Sequence, residues 1–161
     1  MSQDFKLEVT GYRQAHSTTC WYAAYKSLYS WKDRSTGEII PALHNGGLDT
    51  DAMLDRGMID TEYMPAAKAL KMSSWRTSSF KQWDVQMLIH VMRTYGPIFC
   101  ATQIYKGHAV VLYGAKSDED KVRYIDSVNP SGGSVQRILI ERTKFMDLIQ
   151  DTFFSIQAWE N

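Results

Sequence analysis

The stretch Gln14–Tyr25, QAHSTTCWYAAY, decides how the rest of the chain is interpreted. Cys20 follows two threonines, either of which suits a helix N-cap, and apolar residues then recur at helical spacing as far as Trp31. A helix N-terminus presents unpaired N–H groups and a partial positive charge, which together stabilise a thiolate. We therefore expect a central buried helix over 20–31 that carries a nucleophilic Cys20 at its start. Gln14 would donate its side-chain N–H to an oxyanion.

Composition narrows the possible classes of protein. The chain has 161 residues, 44% of them hydrophobic, which predicts one globular domain over residues 1–161. Eighteen basic residues balance eighteen acidic ones, so neither a nucleic acid nor an anionic membrane is expected as the main partner.

The N-terminal segment and the spacing of cysteines and histidines predict the cellular location and the metal content. The N-terminus lacks a signal peptide's basic and apolar regions, so we expect folding in the cytoplasm, with export by a signal-independent route left open. Two cysteines, Cys20 and Cys100, do not resemble a disulfide framework, so two free thiols are favoured. No CxxC or HExxH spacing occurs, which predicts neither a metal nor another cofactor.

Local patterns along the chain predict helices first and antiparallel strands second, an α+β arrangement. Residues 7–12 are read as a short strand or an extended lead-in, residues 32–47 as turns, and residues 72–80 as a loop. The predicted helices after the first are 48–56, 62–71, 83–95 and 141–149. The predicted strands are 98–104, 108–115, 121–128, 135–140 and 153–159.

Of the four histidines, His108 is the best candidate for a general base. It opens the most hydrophobic strand of the chain and follows Gly107, which permits close approach of a substrate backbone. His16 lies near Cys20 in a loop, His44 lies in a glycine-rich turn, and His90 sits within an amphipathic helix. We therefore expect His108, at the end of a strand that faces a cleft, to accept the thiol proton.

A carboxylate is predicted beside His108. In a hairpin of strands 108–115 and 121–128, Asp126 comes close to the start of the first strand. A carboxylate there fixes the imidazole tautomer and stabilises its charged form. Cys20, His108 and Asp126 thus form a candidate nucleophile, base and orienting group, whereas Cys100 has no base nearby and is read as a core residue.

These motifs resemble those of papain-like cysteine peptidases, in particular the compact bacterial C39-like peptidases and effector proteases of the AvrRpt2 type. The resemblance rests on Gln14 with Cys20-Trp21, on the run Gly107–Val111 and on Tyr124–Asp126. It implies a papain-like fold in which the N-terminal helix packs on a C-terminal antiparallel sheet. It also implies a Cys20-His108-Asp126 triad and an oxyanion hole that includes Gln14.

The resemblance also extends to the rim of a cleft and leaves one position open. Gly96, before Pro97, resembles the segment that borders the family's cleft, and Trp21 and Gly107 are further candidates for substrate contact. Many relatives have the orienting Asp directly before a proline. Here three residues separate Asp126 from Pro130, so Asn129 is a second candidate for that position.

The expected activity is that of a cysteine endopeptidase acting on a protein substrate without a cofactor. Because no inhibitory segment is evident, the enzyme would endanger its own cell. We therefore expect a bacterial effector or toxin, delivered into the cytoplasm of a target cell and neutralised at home by a cognate immunity protein. The alternatives are deamidation, transglutamination or peptidoglycan amide hydrolysis by the same triad, and a non-catalytic peptide-binding module.

Overall fold

The computed structural model describes residues 3–151 and 154–160, with only the backbone of Lys106. The helices of this part of the chain are α1 Cys20–Trp31, α2 Ile39–Asn45, α3 Thr50–Arg56, α4 Tyr63–Leu70, α5 Thr77–Phe80, α6 Val85–Tyr95 and α7 Arg142–Leu148. Its strands are β1 Asp4–Lys6, β2 Met72–Trp75, β3 Ile98–Thr102, β4 His108–Lys116, β5 Lys121–Asp126, β6 Gln136–Glu141 and β7 Ile156–Trp159.

All described strands join one antiparallel sheet in the order β2-β7-β3-β4-β5-β6. The short β1 pairs with residues 114–116 at the far end of β4, beyond the part of β4 that pairs with β3. Helix α1 packs on this sheet, which confirms the predicted α+β, papain-like architecture. The strand that begins at His108 is the centre of the sheet, since it pairs with β3, β5 and β1.

Helices cover both faces of the sheet, which explains why β3 and β4 are continuously hydrophobic. Phe99 and Val111 face the cluster that contains α1, whereas Cys100, Val110 and Leu112 face the cluster that contains α6 and α7. Alternate residues of a strand point to opposite faces, so a strand covered on both sides needs apolar residues at every position. This central layer holds the start of β4 in a fixed position.

The prediction of turns over residues 32–47 is wrong for part of that range. Helix α2 forms there, preceded by a 3₁₀ turn at Thr36–Glu38. Ile39 and Leu43 lie one turn apart and are both fully buried. The helix has seven residues, and so short a helix depends on tertiary packing rather than on an extended apolar pattern.

The prediction of a loop over residues 72–80 is also wrong. Residues Met72–Trp75 form β2, an edge strand that pairs with β7, and Thr77–Phe80 form α5. The two serines of β2 weaken the local pattern that would indicate a strand. Its partner, β7, comes about 80 residues later in the chain. Local sequence does not reveal pairing at that separation.

Other boundaries differ by a few residues from those expected. The lead-in 7–12 is irregular, and the strand near it is β1. The last predicted strand begins at Phe153, which lies outside the described residues, and β7 itself starts at Ile156. Among the described residues, no helix combines the length and the apolar character needed to cross a membrane.

Candidate active site

Cys20 occupies the first position of α1, and the loop before it is folded onto itself. The hydroxyl of Thr19 donates to the His16 carbonyl at 3.0 Å and accepts the His16 N–H at 3.1 Å. Thr19 is therefore the N-cap by position, but its side chain does not cap the helix. The Thr19 side chain therefore does not occupy the N–H groups of the first turn, and Cys20 lies at the positive end of the helix dipole.

The thiol of Cys20 lies between the start of β4 and the imidazole of His108. Its Sγ accepts the backbone N–H of Ala109, the residue after His108, at 3.4 Å, and Cys20 and His108 line the same cavity. Cys20 itself is half-buried, so one side of the sulfur is open to a substrate. Helix α1 and strand β4 thus bring together residues 88 positions apart.

His108 and Asp126 form a buried pair. The imidazole Nε2 lies 2.6 Å from Oδ1 of Asp126, and each side chain is only 3% exposed. The same carboxylate oxygen accepts the N–H of Val128 at 2.9 Å. Because Nε2 is engaged by Asp126, Nδ1 is the nitrogen left for Cys20. Burial by itself lowers the pKa of His108, but the hydrogen bonds and charges of Asp126 and Cys20 raise it to about 9.

A one-residue bulge in β4 brings His108 to the same face of the sheet as Asp126. Leu112 pairs with Tyr124 but Gly114 pairs with Arg123, so Tyr113 is an extra residue opposite β5. Beyond the bulge, Val111 pairs with Ile125, so the next residues along the two strands, Val110 and Asp126, lie opposite each other. Val110 and His108 are two residues apart on β4, so Asp126 shares a face with His108. Without the bulge, Asp126 would lie opposite Val111, and the side chains of His108 and Asp126 would point to opposite faces of the sheet.

Gln14 is held at two points by the residue that follows Asp126. Its side-chain Oε1 accepts the hydroxyl of Ser127 at 2.7 Å, and its backbone N–H donates to the Ser127 carbonyl at 3.2 Å. Its Nε2 donates one hydrogen to the His16 carbonyl at 2.7 Å. The amide is thereby oriented with its nitrogen away from Ser127, and a second N–H of that nitrogen has no partner among the hydrogen bonds described.

Two cavities flank the pair formed by Cys20 and His108. The first, of about 200 Å³, contains Cys20 and is lined also by Trp21, Arg56 and Tyr63. The second, of about 470 Å³, lies on the side of Gln14 and Ser127 and does not include Cys20 among its lining residues. His108 and Gly107 line both cavities. Gly107 has φ +129°, in the range that favours glycine, so the chain turns sharply between the two cavities.

Trp21 and Gly96, which the sequence predicted as substrate contacts, are less accessible or farther from Cys20 than expected. Trp21 borders the first cavity but is only 1% exposed, and its indole N–H donates to the Thr18 carbonyl at 2.9 Å. Gly96 packs against the ring of Trp31, at the opposite end of α1. Trp31 is eleven residues after Cys20, which places it about 16 Å farther along the helix at 1.5 Å per residue. Gly96, which lies beside Trp31, therefore does not border either cavity.

The competing residues do not take part in the Cys20–His108–Asp126 arrangement, although His16 and Asn129 line the larger cavity. The side chains of His44 and His90 are exposed on α2 and α6, and His16 contributes mainly its backbone to the loop. Cys100 is fully buried, and burial raises the pKa of its thiol. Asn129 Oδ1 accepts the N–H of Ser131 within the following turn. In the described part of the chain, no three His, Cys, Asp or Glu side chains cluster as metal ligands would.

Three site residues were missed by sequence reasoning. Ser127 follows Asp126 directly, and its proximity in sequence was the one signal that pointed to it. Tyr105 precedes Gly107 by two positions and contacts His108 from the turn between β3 and β4. Tyr63, on α4, lines the Cys20 cavity; burial and then the charge of Cys20 raise the pKa of its phenol. Nothing local in the sequence links Tyr63 to the site.

Comparison with known proteins identifies the family. No curated protein matches the chain. Among solved structures, a double glycine motif protease from an AMS/PCAT transporter, determined in complex with the leader peptide, matches with a TM-score of 0.47 and 11% identity over 96% of this chain and 92% of that one. The model of the family described as papain-like cysteine protease AvrRpt2 matches residues 2–142. The chain therefore belongs to the AvrRpt2 family of papain-like cysteine proteases.

Proposed function

We propose that this cysteine protease is an endopeptidase whose nucleophile is Cys20, whose general acid–base is His108 and whose orienting group is Asp126. The observation that carries the proposal is the 2.6 Å hydrogen bond between His108 and Asp126, at the start of the strand whose Ala109 N–H holds the Cys20 sulfur and in the cavity that Cys20 and His108 share. A raised imidazole pKa favours transfer of the thiol proton to His108 and so a thiolate–imidazolium pair.

The chemistry follows from these positions. The Cys20 sulfur attacks the scissile carbonyl carbon, a C–S bond forms, and the carbonyl π electrons move to the oxygen. The N–H of Cys20 and the free N–H of the Gln14 amide then stabilise the oxyanion. As the carbonyl re-forms, the C–N bond breaks and His108 gives its proton to the departing amine. Water, deprotonated by His108, hydrolyses the thioester and regenerates the thiol.

The two cavities suggest how a peptide lies across the site. The acyl part of the substrate stays on Cys20, so it belongs in the cavity that contains Cys20. The amine part leaves through His108, so it belongs in the larger cavity beside Gln14. A protein segment that spans both cavities would present its scissile bond between Cys20 and Gln14. The substrate is therefore an extended segment of a protein rather than a chain terminus.

The proposal is tested by comparing cleavage by the wild type with that by the Cys20→Ala variant. Each protein is incubated with an extract of candidate target cells, and new N-termini are identified by mass spectrometry. Termini that appear only with the wild type support the endopeptidase, and Cys100→Ala, which alters the buried cysteine, should still produce them. Identical termini with and without Cys20 would contradict it. Intact targets in which an amide has become an acid would indicate deamidation instead.

We further propose that the enzyme is an effector or toxin that folds in a cytoplasm and acts in the cytoplasm of a target cell. Membership of the AvrRpt2 family supports this role, as does an open, half-exposed Cys20 that would cleave proteins wherever it is made. A cognate immunity protein would cover the cleft in the producing cell. Toxicity on expression that requires Cys20, and that a neighbouring gene relieves, is the expected result; harmless expression of the active enzyme would argue against it.

The single sheet also supports a one-domain organisation of the chain. Strands from residue 4 to residue 159 join one sheet, and both termini of the described region contribute strands to it. We propose on this basis that residues 1–161 form one domain. Limited proteolysis should leave it as one resistant fragment, whereas two separable resistant fragments would contradict this organisation.

A further inference from the structure

Tyr105 is exposed, yet its ring lies against the buried imidazole of His108. The two ring centroids are 5.3 Å apart and their planes meet at 74°, an edge-to-face geometry. Tyr105 is 61% exposed, whereas His108 is 5% exposed. One side of the phenol ring therefore covers the imidazole while the other side faces water and the larger cavity, which Tyr105 also lines.

The backbone at Tyr105 is held in an unfavourable conformation. Its φ of +52° and ψ of 34° are left-handed, a region that costs a non-glycine residue on the order of 1–3 kcal/mol. The turn is fixed on both sides, since the Thr102 hydroxyl donates to the His108 carbonyl at 2.7 Å and the Gly107 N–H donates to the Ile104 carbonyl at 3.0 Å. Such strain persists where the surrounding structure imposes it, and it is common at functional sites.

Tyr105 also lines the larger cavity together with Ser127 and Val128, the two residues that follow Asp126. Burial, then the charge of Asp126 and then that of Tyr105, raise the pKa of Tyr124, the residue two positions before Asp126 on β5. Tyr105 therefore contacts the imidazole on the side of the pair that faces the larger cavity.

The Tyr105 ring lies where it can exclude water from the hydrogen bond between His108 and Asp126. A hydrogen bond between charged groups is stronger when water is excluded, because the local dielectric constant is lower. Water beside His108 and Asp126 would screen their interaction and return the imidazole toward its ordinary behaviour. The titratable groups that face His108 are Cys20 from α1, Asp126 from β5 and Tyr105 from the turn.

We propose that Tyr105 is a positioning residue, whose ring shields the His108–Asp126 pair from water and thereby maintains the imidazolium that keeps Cys20 reactive. The inference rests on the proposed roles of Cys20, His108 and Asp126. It adds a residue from the β3–β4 turn that touches neither the sulfur nor the oxyanion donors. The strained backbone is the cost of holding the ring over the pair.

The test uses the rate at which iodoacetamide alkylates Cys20, measured between pH 5 and 9 by mass spectrometry of the peptide that contains it. This readout needs no knowledge of the substrate. The main variant is Tyr105→Gly, because glycine adopts a positive φ without strain. We expect its melting temperature to rise while its alkylation rate at pH 6 falls about tenfold, the factor equivalent to one pKa unit.

Two further variants separate shielding from a general effect on the fold. Tyr105→Phe keeps the ring and should restore most of the alkylation rate. Met87→Ala removes another exposed apolar side chain, 40% exposed on α6, and should match the wild type. A structural role for Tyr105 would lower stability and reactivity together, which is the reverse of the pattern expected for Tyr105→Gly.

The outcomes distinguish this inference from the function on which it rests. If Tyr105→Gly and the wild type give the same pH profile, the shielding role is overturned and the triad is unaffected. If the wild-type Cys20 is no more reactive at pH 6 than a free thiol such as glutathione, the proposed catalytic pair itself is overturned. A profile that is lowered in Tyr105→Gly and restored in Tyr105→Phe supports both.

Discussion

The Nε2 atom of His108 lies 2.6 Å from Oδ1 of Asp126, in a pair whose side chains are each 3% exposed. Burial of either group alone would be unfavourable, and the two stabilise each other only because the geometry is close and the carboxylate is also bonded by the Val128 N–H. The strand ends therefore specify one orientation for the imidazole.

Asp126→Asn should slow alkylation of Cys20 at pH 6 by about tenfold, since the lost carboxylate supplies a hydrogen bond and a charge that hold the pKa of His108 above its ordinary value. Asn129→Ala is the matched control, because Asn129 bonds Ser131 within a turn and not the imidazole. Its alkylation rate should equal that of the wild type. The opposite ranking of the two variants would assign the orienting role to Asn129.

Stability should depend on pH through His108. Its pKa is about 9 in the folded protein, above the value of about 6.5 in an unfolded chain. A raised folded-state pKa contributes stability that is fully present below about pH 6.5 and lost as the pH rises through about 9. The free energy of unfolding in urea should fall by roughly 3 kcal/mol over that window.

The control for this pH dependence is His108→Gln, which removes the titrating group. The fall in unfolding free energy between pH 6 and pH 9.5 should be markedly smaller in this variant. Equal pH dependence in the two proteins would mean that other groups cause it, and that the imidazole is not stabilised by its neighbours in the way the geometry indicates.

Ser127→Ala should separate oxyanion stabilisation from thiol reactivity. The variant loses the 2.7 Å hydrogen bond to Gln14 Oε1, so only the bond from Nε2 to the His16 carbonyl still orients the amide. We expect kcat/KM for a cleavable peptide to fall about tenfold, less than the loss of a whole oxyanion donor. The rate of alkylation by iodoacetamide should not change, because that reaction forms no oxyanion.

A double-mutant cycle tests whether Ser127 acts through Gln14. Gln14→Ala should lower kcat/KM by itself, and adding Ser127→Ala to it should have little further effect, since residues that share one role are not additive. If Ser127→Ala slows alkylation as well as hydrolysis, its effect reaches His108 through Asp126 rather than the oxyanion.

Gly96→Ala should destabilise the fold through Trp31. A Cβ at Gly96 would lie 2.4 Å from the Trp31 ring, and its φ is +93°. We expect a loss of about 2 to 4 kcal/mol of unfolding free energy from combined overpacking and backbone strain. Gly47→Ala is the control, with φ +90° and no atom within 4 Å of the added Cβ; it should lose only about 1 kcal/mol. Equal losses would indicate backbone strain alone.

Local patterns predicted a large part of this structure. The helix over 20–31 and the end of the helix at Tyr95, before Gly96, agree with the structure, since each is encoded within a few residues. The proximity of His108 to Asp126 was also expected from a hairpin. The strand β2 and the helices α2 and α5 were missed because they are short and are stabilised by distant partners.

The sequence by itself determined that Cys20 begins a helix, that His108 begins a buried strand and that a carboxylate follows on the next strand. Apolar periodicity and glycine positions decide these features locally. Only the tertiary structure decided that a bulge at Tyr113 brings His108 to the face of Asp126, that Ser127 orients Gln14, and that Tyr105 lies against the imidazole. Each of these depends on strand register and long-range packing, where a shift of one residue reverses the direction of a side chain.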